Sequence, residues 1–218
     1  MRESAEEKRK RFQAVYKILD KLYPGSETSL EFENPFELLT ATILSAQCTD
    51  ARVNIVMQDL RPAFPTPQAL AAAELEDIEA IIKPTGFYHQ KAKSLKSMAT
   101  DLVEKFGGQV PEKMEDLVTL RGVGRKTANV VLGNAFDIVE GIAVDTHVTR
   151  LANRLGFTRH DDPKKIEKDL MALAPKEQWT LLTHLLIYHG RAICVARKPK
   201  CPDCKLADLC PSRDLYQK

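Results

Sequence analysis

The chain has 218 residues, 44% of them hydrophobic and 28% charged, enough for one large domain or two small ones around a buried core. Its 32 Lys and Arg against 30 Asp and Glu leave a formal net charge of +2, so overall charge selects no class of partner and local distribution has to decide. The charged N-terminus "MRESAEEKRKR" has no apolar signal-peptide core and no later segment approaches the apolar length of a membrane span, which makes a cytoplasmic protein with no membrane partner the expectation.

Along the chain, apolar residues recur at helical spacing. Phe12, Val15, Tyr16, Leu19, Leu22 and Tyr23 form a first stripe and predict an N-terminal helix. Asn34-Pro35 pairs a capping side chain with a proline suited to a first helical turn, and Cys48 reads as a small buried hydrophobe inside an apolar helix. Val53, Val56, Met57 and Leu60 make a second stripe, and the start signal repeats at Thr66-Pro67 and Asp162-Pro163. Stops are equally plain: Pro84 with Gly86, Gly107-Gly108, Gly156 and Pro175. No period-two run appears, and about ten short helices fit, which predicts an all-α fold. The weakest helical stretch, residues 137–143, is the candidate domain boundary.

Three stretches carry chemistry. In "LRGVGRKTANVVL", residues 120–132, Gly122 and Gly124 lack a Cβ and tolerate positive φ, so the chain can reverse sharply between a helix ending near Leu120 and one starting near Arg125. Exposed N–H groups, the positive end of the second helix and the Arg125 charge would together receive a phosphate. An ordinary interhelical turn has the same two glycines; the full pattern, with Lys-Thr-Ala and an apolar helix behind it, favours DNA backbone binding. Lys126 lies in the first helical turn. An amine attacks only when unprotonated, a form that a helix N-terminus and neighbouring cations favour; the plainer alternative is a lysine that contacts phosphate. In "AVDTHVTRL", Asp145 precedes a helix whose apolar face is Val148, Leu151, Ala152 and Leu155, an N-cap position that by itself is structural.

Cysteines supply the third. Of five, four follow the spacing C-x6-C-x2-C-x5-C at Cys194, Cys201, Cys204 and Cys210, which is a poor disulfide framework for a cytoplasmic chain. The run is flanked by Arg191, Arg197, Lys198, Lys200, Lys205, Arg213 and Lys218. Four thiolates in so short a loop require a cation, and both zinc and a [4Fe-4S] cluster accept a four-cysteine site.

Taken in order, "ILSAQCTD" at residues 43–50, the glycine hairpin, "IAVDTHVTRLANRLG" at 142–156 and the cysteine run resemble the helix-hairpin-helix DNA glycosylases, and among them the endonuclease III family. The resemblance covers nearly the whole chain. It implies two helical domains flanking an active-site cleft: a helical barrel, residues 28–139, with the hairpin and Lys126, and an iron–sulfur domain, residues 1–27 and 140–218, with Asp145. It implies a monomeric, bifunctional DNA glycosylase and abasic-site lyase of base excision repair that removes oxidised pyrimidines from damaged double-stranded DNA. Lys126 would attack C1′ and form the Schiff base for β-elimination, while Asp145 would assist its deprotonation and stabilise positive charge on the sugar. The four cysteines would hold a [4Fe-4S] cluster, with Lys198 and Lys200 on a basic loop against phosphates. Gln47 would enter the duplex beside the unpaired base, Phe87 would act as a second wedge, and His147 would support structure or contact phosphate.

The sequence departs from the family pattern at Phe87, where leucine is usual, at Thr85, where an aliphatic residue is usual, and at Arg121, where the hairpin usually has proline. An aromatic wedge can stack on a base, and Arg121 adds charge while removing rigidity; the plainer alternatives are an inward-packed Phe87 and a solvated Arg121. Two other functions fit less well: a monofunctional mismatch glycosylase, which Lys126 argues against, and a DNA-binding module without catalysis.

Overall fold

The structure, a computed structural model, describes residues 3–216; Lys218 of the basic flank lies outside the described residues. Among the described residues all regular structure is helical, with eleven α-helices and no strand. These are α1 (Ala5–Leu22), α2 (Pro35–Leu44), α3 (Asp50–Ala63), α4 (Pro67–Ala72), α5 (Leu75–Ile82), α6 (Tyr88–Phe106), α7 (Met114–Leu117), α8 (Arg125–Ala135), α9 (Thr146–Arg154), α10 (Pro163–Leu173) and α11 (Trp179–Ala192). No helix among the described residues is long and apolar enough to cross a membrane.

Local chemistry sets most of these boundaries. Ser4 and Glu7 close a reciprocal capping box at α1, with Ser4 Oγ accepting the Glu7 N–H at 3.2 Å and Glu7 Oε2 accepting the Ser4 N–H at 2.8 Å. Asn34, Thr66 and Asp162 cap α2, α4 and α10 through side-chain oxygens, each with proline next in the chain. Gly107 and Gly156 leave helices in the left-handed region at φ 60° and 69°, where a Cβ would be strained.

Two details differ from the sequence expectation. Cys48 is not inside a helix: α2 stops at Leu44, the Thr49 hydroxyl caps the Arg52 N–H to begin α3, and Cys48 sits half-buried in the turn between them. The helix before the hairpin ends at Leu117 rather than near Leu120. From there the chain tightens into i to i+3 bonds, Leu120 N–H to the Leu117 carbonyl and Val123 N–H to the Leu120 carbonyl, both 3.1 Å.

The chain forms two compact units, and the division falls after Glu140 in the non-helical run between α8 and α9. One unit joins residues up to Glu27 with those from Gly141 onward. Its core takes Phe12 and Leu19 from α1, Val148 and Leu151 from α9, Ile166 and Leu170 from α10, and Leu182 and Leu185 from α11. Phe12 meets Phe157 edge to face at 5.0 Å, and Arg11 lies over the same Phe157 ring while donating to the Leu155 and Leu209 carbonyls. The other unit spans Thr28–Glu140. Buried Leu38, Leu39 and Leu44 of α2, Leu95, Met98 and Leu102 of α6, and Val131 and Leu132 of α8 form its interior. There α6 packs on α4 and α5, and α2 on α8.

Candidate functional site

Within the unit of residues 28–140, the hairpin uses its two glycines differently. Gly122 adopts φ +83°, and a Cβ on it would come within 3.1 Å of the Ser94 Cβ, so both its backbone and its packing on α6 demand glycine. Gly124 stays in the extended region at φ −91° as the N-cap of α8, and a Cβ there would meet nothing within 4 Å. Its missing side chain leaves α8 without a side-chain cap and leaves open space before the helix N-terminus. Arg121 is exposed, which both a DNA contact and a solvated side chain require; Arg125 and Lys126, the first two residues of α8, are half-buried.

Gln47 and Phe87 share an unusual feature. Both are exposed, and both have left-handed backbone without being glycine, at φ 53° and 50°. Among the described residues only Asp137 and Lys198 do likewise. Non-glycine residues adopt this region only where surrounding structure holds them, and such outliers gather at binding sites. Phe87 is 66% exposed, so it does not pack inward.

In the other unit, Asp145 is the N-cap of α9. One carboxylate oxygen accepts the His147 and Val148 N–H groups, both at 2.8 Å, and the other stands 3.3 Å from His147 Nδ1. The carboxylate is thus fixed in direction while remaining partly open to solvent. His147 supports it rather than standing apart.

The same helix grips the cysteine loop. Arg150 donates to the Gly190 carbonyl at 2.9 Å and the Cys194 carbonyl at 3.1 Å. Arg154 donates to the Val195 and Ala196 carbonyls at 2.8 and 2.9 Å and reaches Cys194 Sγ at 3.4 Å. Cys194, Cys201, Cys204 and Cys210 all line one cavity and are all free of disulfides. Burial raises the Cys204 and Cys210 thiols above their ordinary pKa, and the neighbouring cysteines push in the same direction, so four thiolates there need a cation. Lys198 and Lys200 are exposed on this loop.

His189 Nε2 lies 3.4 Å from Cys204 Sγ, and its Nδ1 lies 3.0 Å from the Tyr23 hydroxyl. Burial pushes the His189 pKa down to about 4, so the ring carries one proton at neutral pH. A thiolate can only accept. With Cys204 ligating a cation as thiolate, Nε2–H would donate to Cys204 and Tyr23 O–H to Nδ1.

The sequence singles out the cysteines, Asp145 and the hairpin as candidates, but gives no sign of the contacts made by Arg150, Arg154, His189 and Lys91, and shows Tyr23 only as part of an apolar stripe. Only the i, i+4 spacing of Arg150 and Arg154 was visible, and it does not say what they reach.

A family model described as HhH-GPD superfamily base excision DNA repair protein matches residues 40–176. Over 205 residues, 94% of each chain, the sequence is 52% identical to endonuclease III of Synechocystis sp.. It is 42% identical to endonuclease III of Escherichia coli (strain K12) over 191 residues, 88% of this chain and 90% of that one. Among solved structures, a non-covalent endonuclease III–DNA complex aligns with TM-score 0.91 and 43% identity, covering 95% of this chain and 97% of the other. A trapped endonuclease III–DNA covalent intermediate, an estranged-adenine complex, aligns with TM-score 0.92 and 42% identity, covering 96% and 99%.

Proposed function

The chain belongs to the HhH-GPD superfamily of base excision DNA repair proteins, and within it to the endonuclease III family, and from that premise we propose that it is a bifunctional DNA glycosylase and abasic-site lyase acting on oxidised pyrimidines in duplex DNA. One observation carries the reading: Lys126 stands in the first turn of α8, directly behind the hairpin and an N-terminus that no side chain caps. Phosphate docked on the hairpin would bring the sugar to that amine.

In the proposed reaction the neutral Lys126 amine forms a bond to C1′ of the extruded nucleotide. The glycosidic bond breaks and its electron pair leaves with the base, which is protonated. The sugar ring opens to a Schiff base between Lys126 and C1′. Loss of a proton from C2′ then expels the 3′ phosphate, which cleaves the strand, and water releases Lys126. Asp145, held by two N–H groups, keeps its negative charge directed and would take the ammonium proton and stabilise positive charge at the sugar. Gln47 and Phe87, on exposed left-handed backbone, would fill the space that the extruded nucleotide leaves.

Cys194, Cys201, Cys204 and Cys210 would hold a [4Fe-4S] cluster. All four cysteines line one cavity, and their number and basic flank suit a multi-atom iron–sulfur centre, with a single zinc as the other group a four-cysteine site accepts. When bound, such a cluster supplies the positive charge that four thiolates require and cross-links the loop. Arg150 and Arg154 would then join that rigid loop to the helix that Asp145 begins.

Duplexes carrying one thymine glycol, one preformed abasic site or one G·T mismatch test the reading, with products resolved before and after alkali. Base release and a strand break without alkali are expected on the first two substrates. Release of a mismatched base without strand cleavage would establish a monofunctional glycosylase, and tight binding without base release would leave only a DNA-binding module.

A further inference from the structure

Lys91 is the most deeply buried lysine of the described chain with its role still unassigned. Only 5% of it is exposed, although an ammonium is costly to remove from water unless its hydrogen bonds are replaced. Two are replaced: Nζ donates to the Leu44 carbonyl and to the Thr85 carbonyl, each at 2.8 Å. Burial lowers its pKa, and Cys48 opposes that shift.

The two acceptors occupy corresponding places in two loops. Leu44 is the last residue of α2, so its carbonyl is one that the helix itself leaves unpaired, and a cation there also matches the negative helix end. Three residues later the chain enters left-handed backbone at Gln47. Thr85 ends the short 3-10 turn Lys83–Thr85, and two residues later the chain enters left-handed backbone at Phe87. The Lys91 N–H also donates to the Phe87 carbonyl at 3.0 Å as the first i to i+4 bond of α6, while its side chain holds Thr85 two residues before Phe87. One helical turn on, Ser94 supports the hairpin at Gly122. A single face of α6 thus backs all three loops.

Resting on the function proposed above, we infer that Lys91 is a positioning residue that couples the Gln47 and Phe87 loops, so that both probing side chains are presented to the duplex in one fixed geometry. Each loop, released separately, would leave its left-handed residue free to relax, and insertion would then have to recover that order during base extrusion.

The test uses Lys91→Met, which keeps length and bulk without the donors, and Lys91→Gln, which retains a shorter donor should the first variant fail to fold. Single-turnover rates are measured, well below the melting temperature, on a duplex with a paired damaged pyrimidine and on one with a preformed abasic site. Excision of the paired base should fall about tenfold or more, with abasic-site cleavage changed less than about threefold, because extrusion is hard only in the first case. Combined with Phe87→Ala, the losses should be less than additive, since both act on one insertion step. Parallel loss of both rates, or strictly additive losses, would overturn the coupling role and leave Lys91 a structural plug. Failure of the wild-type protein to excise any damaged pyrimidine would instead overturn the function on which the inference rests.

Discussion

Replacing Phe87 separates insertion from folding. The residue is 66% exposed at φ 50°, so its ring contributes little to the core while its backbone carries strain. Left-handed backbone costs a non-glycine residue about 1–2 kcal/mol, and glycine relieves that cost while losing roughly 0.4–1 kcal/mol through the freedom it gives the unfolded chain. Phe87→Gly should therefore leave stability unchanged or raise it by up to about 1.6 kcal/mol, a melting-temperature rise of no more than about 3–6 °C for a chain of this size. Catalysis should respond differently. Loss of a base-stacking contact worth about 1–3 kcal/mol would slow excision of a stably paired damaged base roughly 5- to 150-fold. Cleavage of a preformed abasic site should change much less, since no base has to be expelled. Phe87→Leu should restore most of the excision rate while altering preference for the opposite base. The assay is a melting curve and two single-turnover rates on one preparation. Equal loss of both rates, or no loss of either, would refute the wedge assignment.

Two further outcomes follow from the geometry of the other unit. Asp145→Asn preserves an amide oxygen able to accept the His147 and Val148 N–H groups, so stability should fall by less than about 1 kcal/mol while base excision is abolished; a calorimetric loss of stability with turnover intact would make Asp145 a cap and nothing more. Protein purified without chelators should be brown with about four irons per chain by metal analysis, and a colourless, active protein with one zinc would contradict the cluster.

Features set by neighbouring residues were legible in the sequence. The caps at Asn34, Thr66 and Asp162, the turns at Gly107 and Gly156, and the reversal at Gly122 all depend on chemistry within a few positions. Cys48 was misplaced because no glycine or proline between Leu44 and Val53 marks a helix stop, whereas the Thr49 hydroxyl starts a new helix. Contacts closed over long stretches of chain left no local trace. Lys91 reaches 47 residues back to Leu44, Arg150 reaches 44 forward to Cys194, and Tyr23 meets His189 across 166. Exposed left-handed backbone at Gln47 was equally invisible, since glutamine carries no preference for it. Chemical roles behaved differently again: an N-cap aspartate and a first-turn lysine are ordinary by spacing, and only the resemblance singled out Asp145 and Lys126.

Borohydride trapping tests the central claim most directly. Wild-type protein incubated with an abasic-site duplex and borohydride should yield a covalent protein–DNA adduct, and peptide mapping should find the reduced linkage on Lys126. Lys126→Gln should bind the same duplex and yield no adduct. Undiminished adduct in that variant, or a linkage mapped to another lysine, would contradict the account.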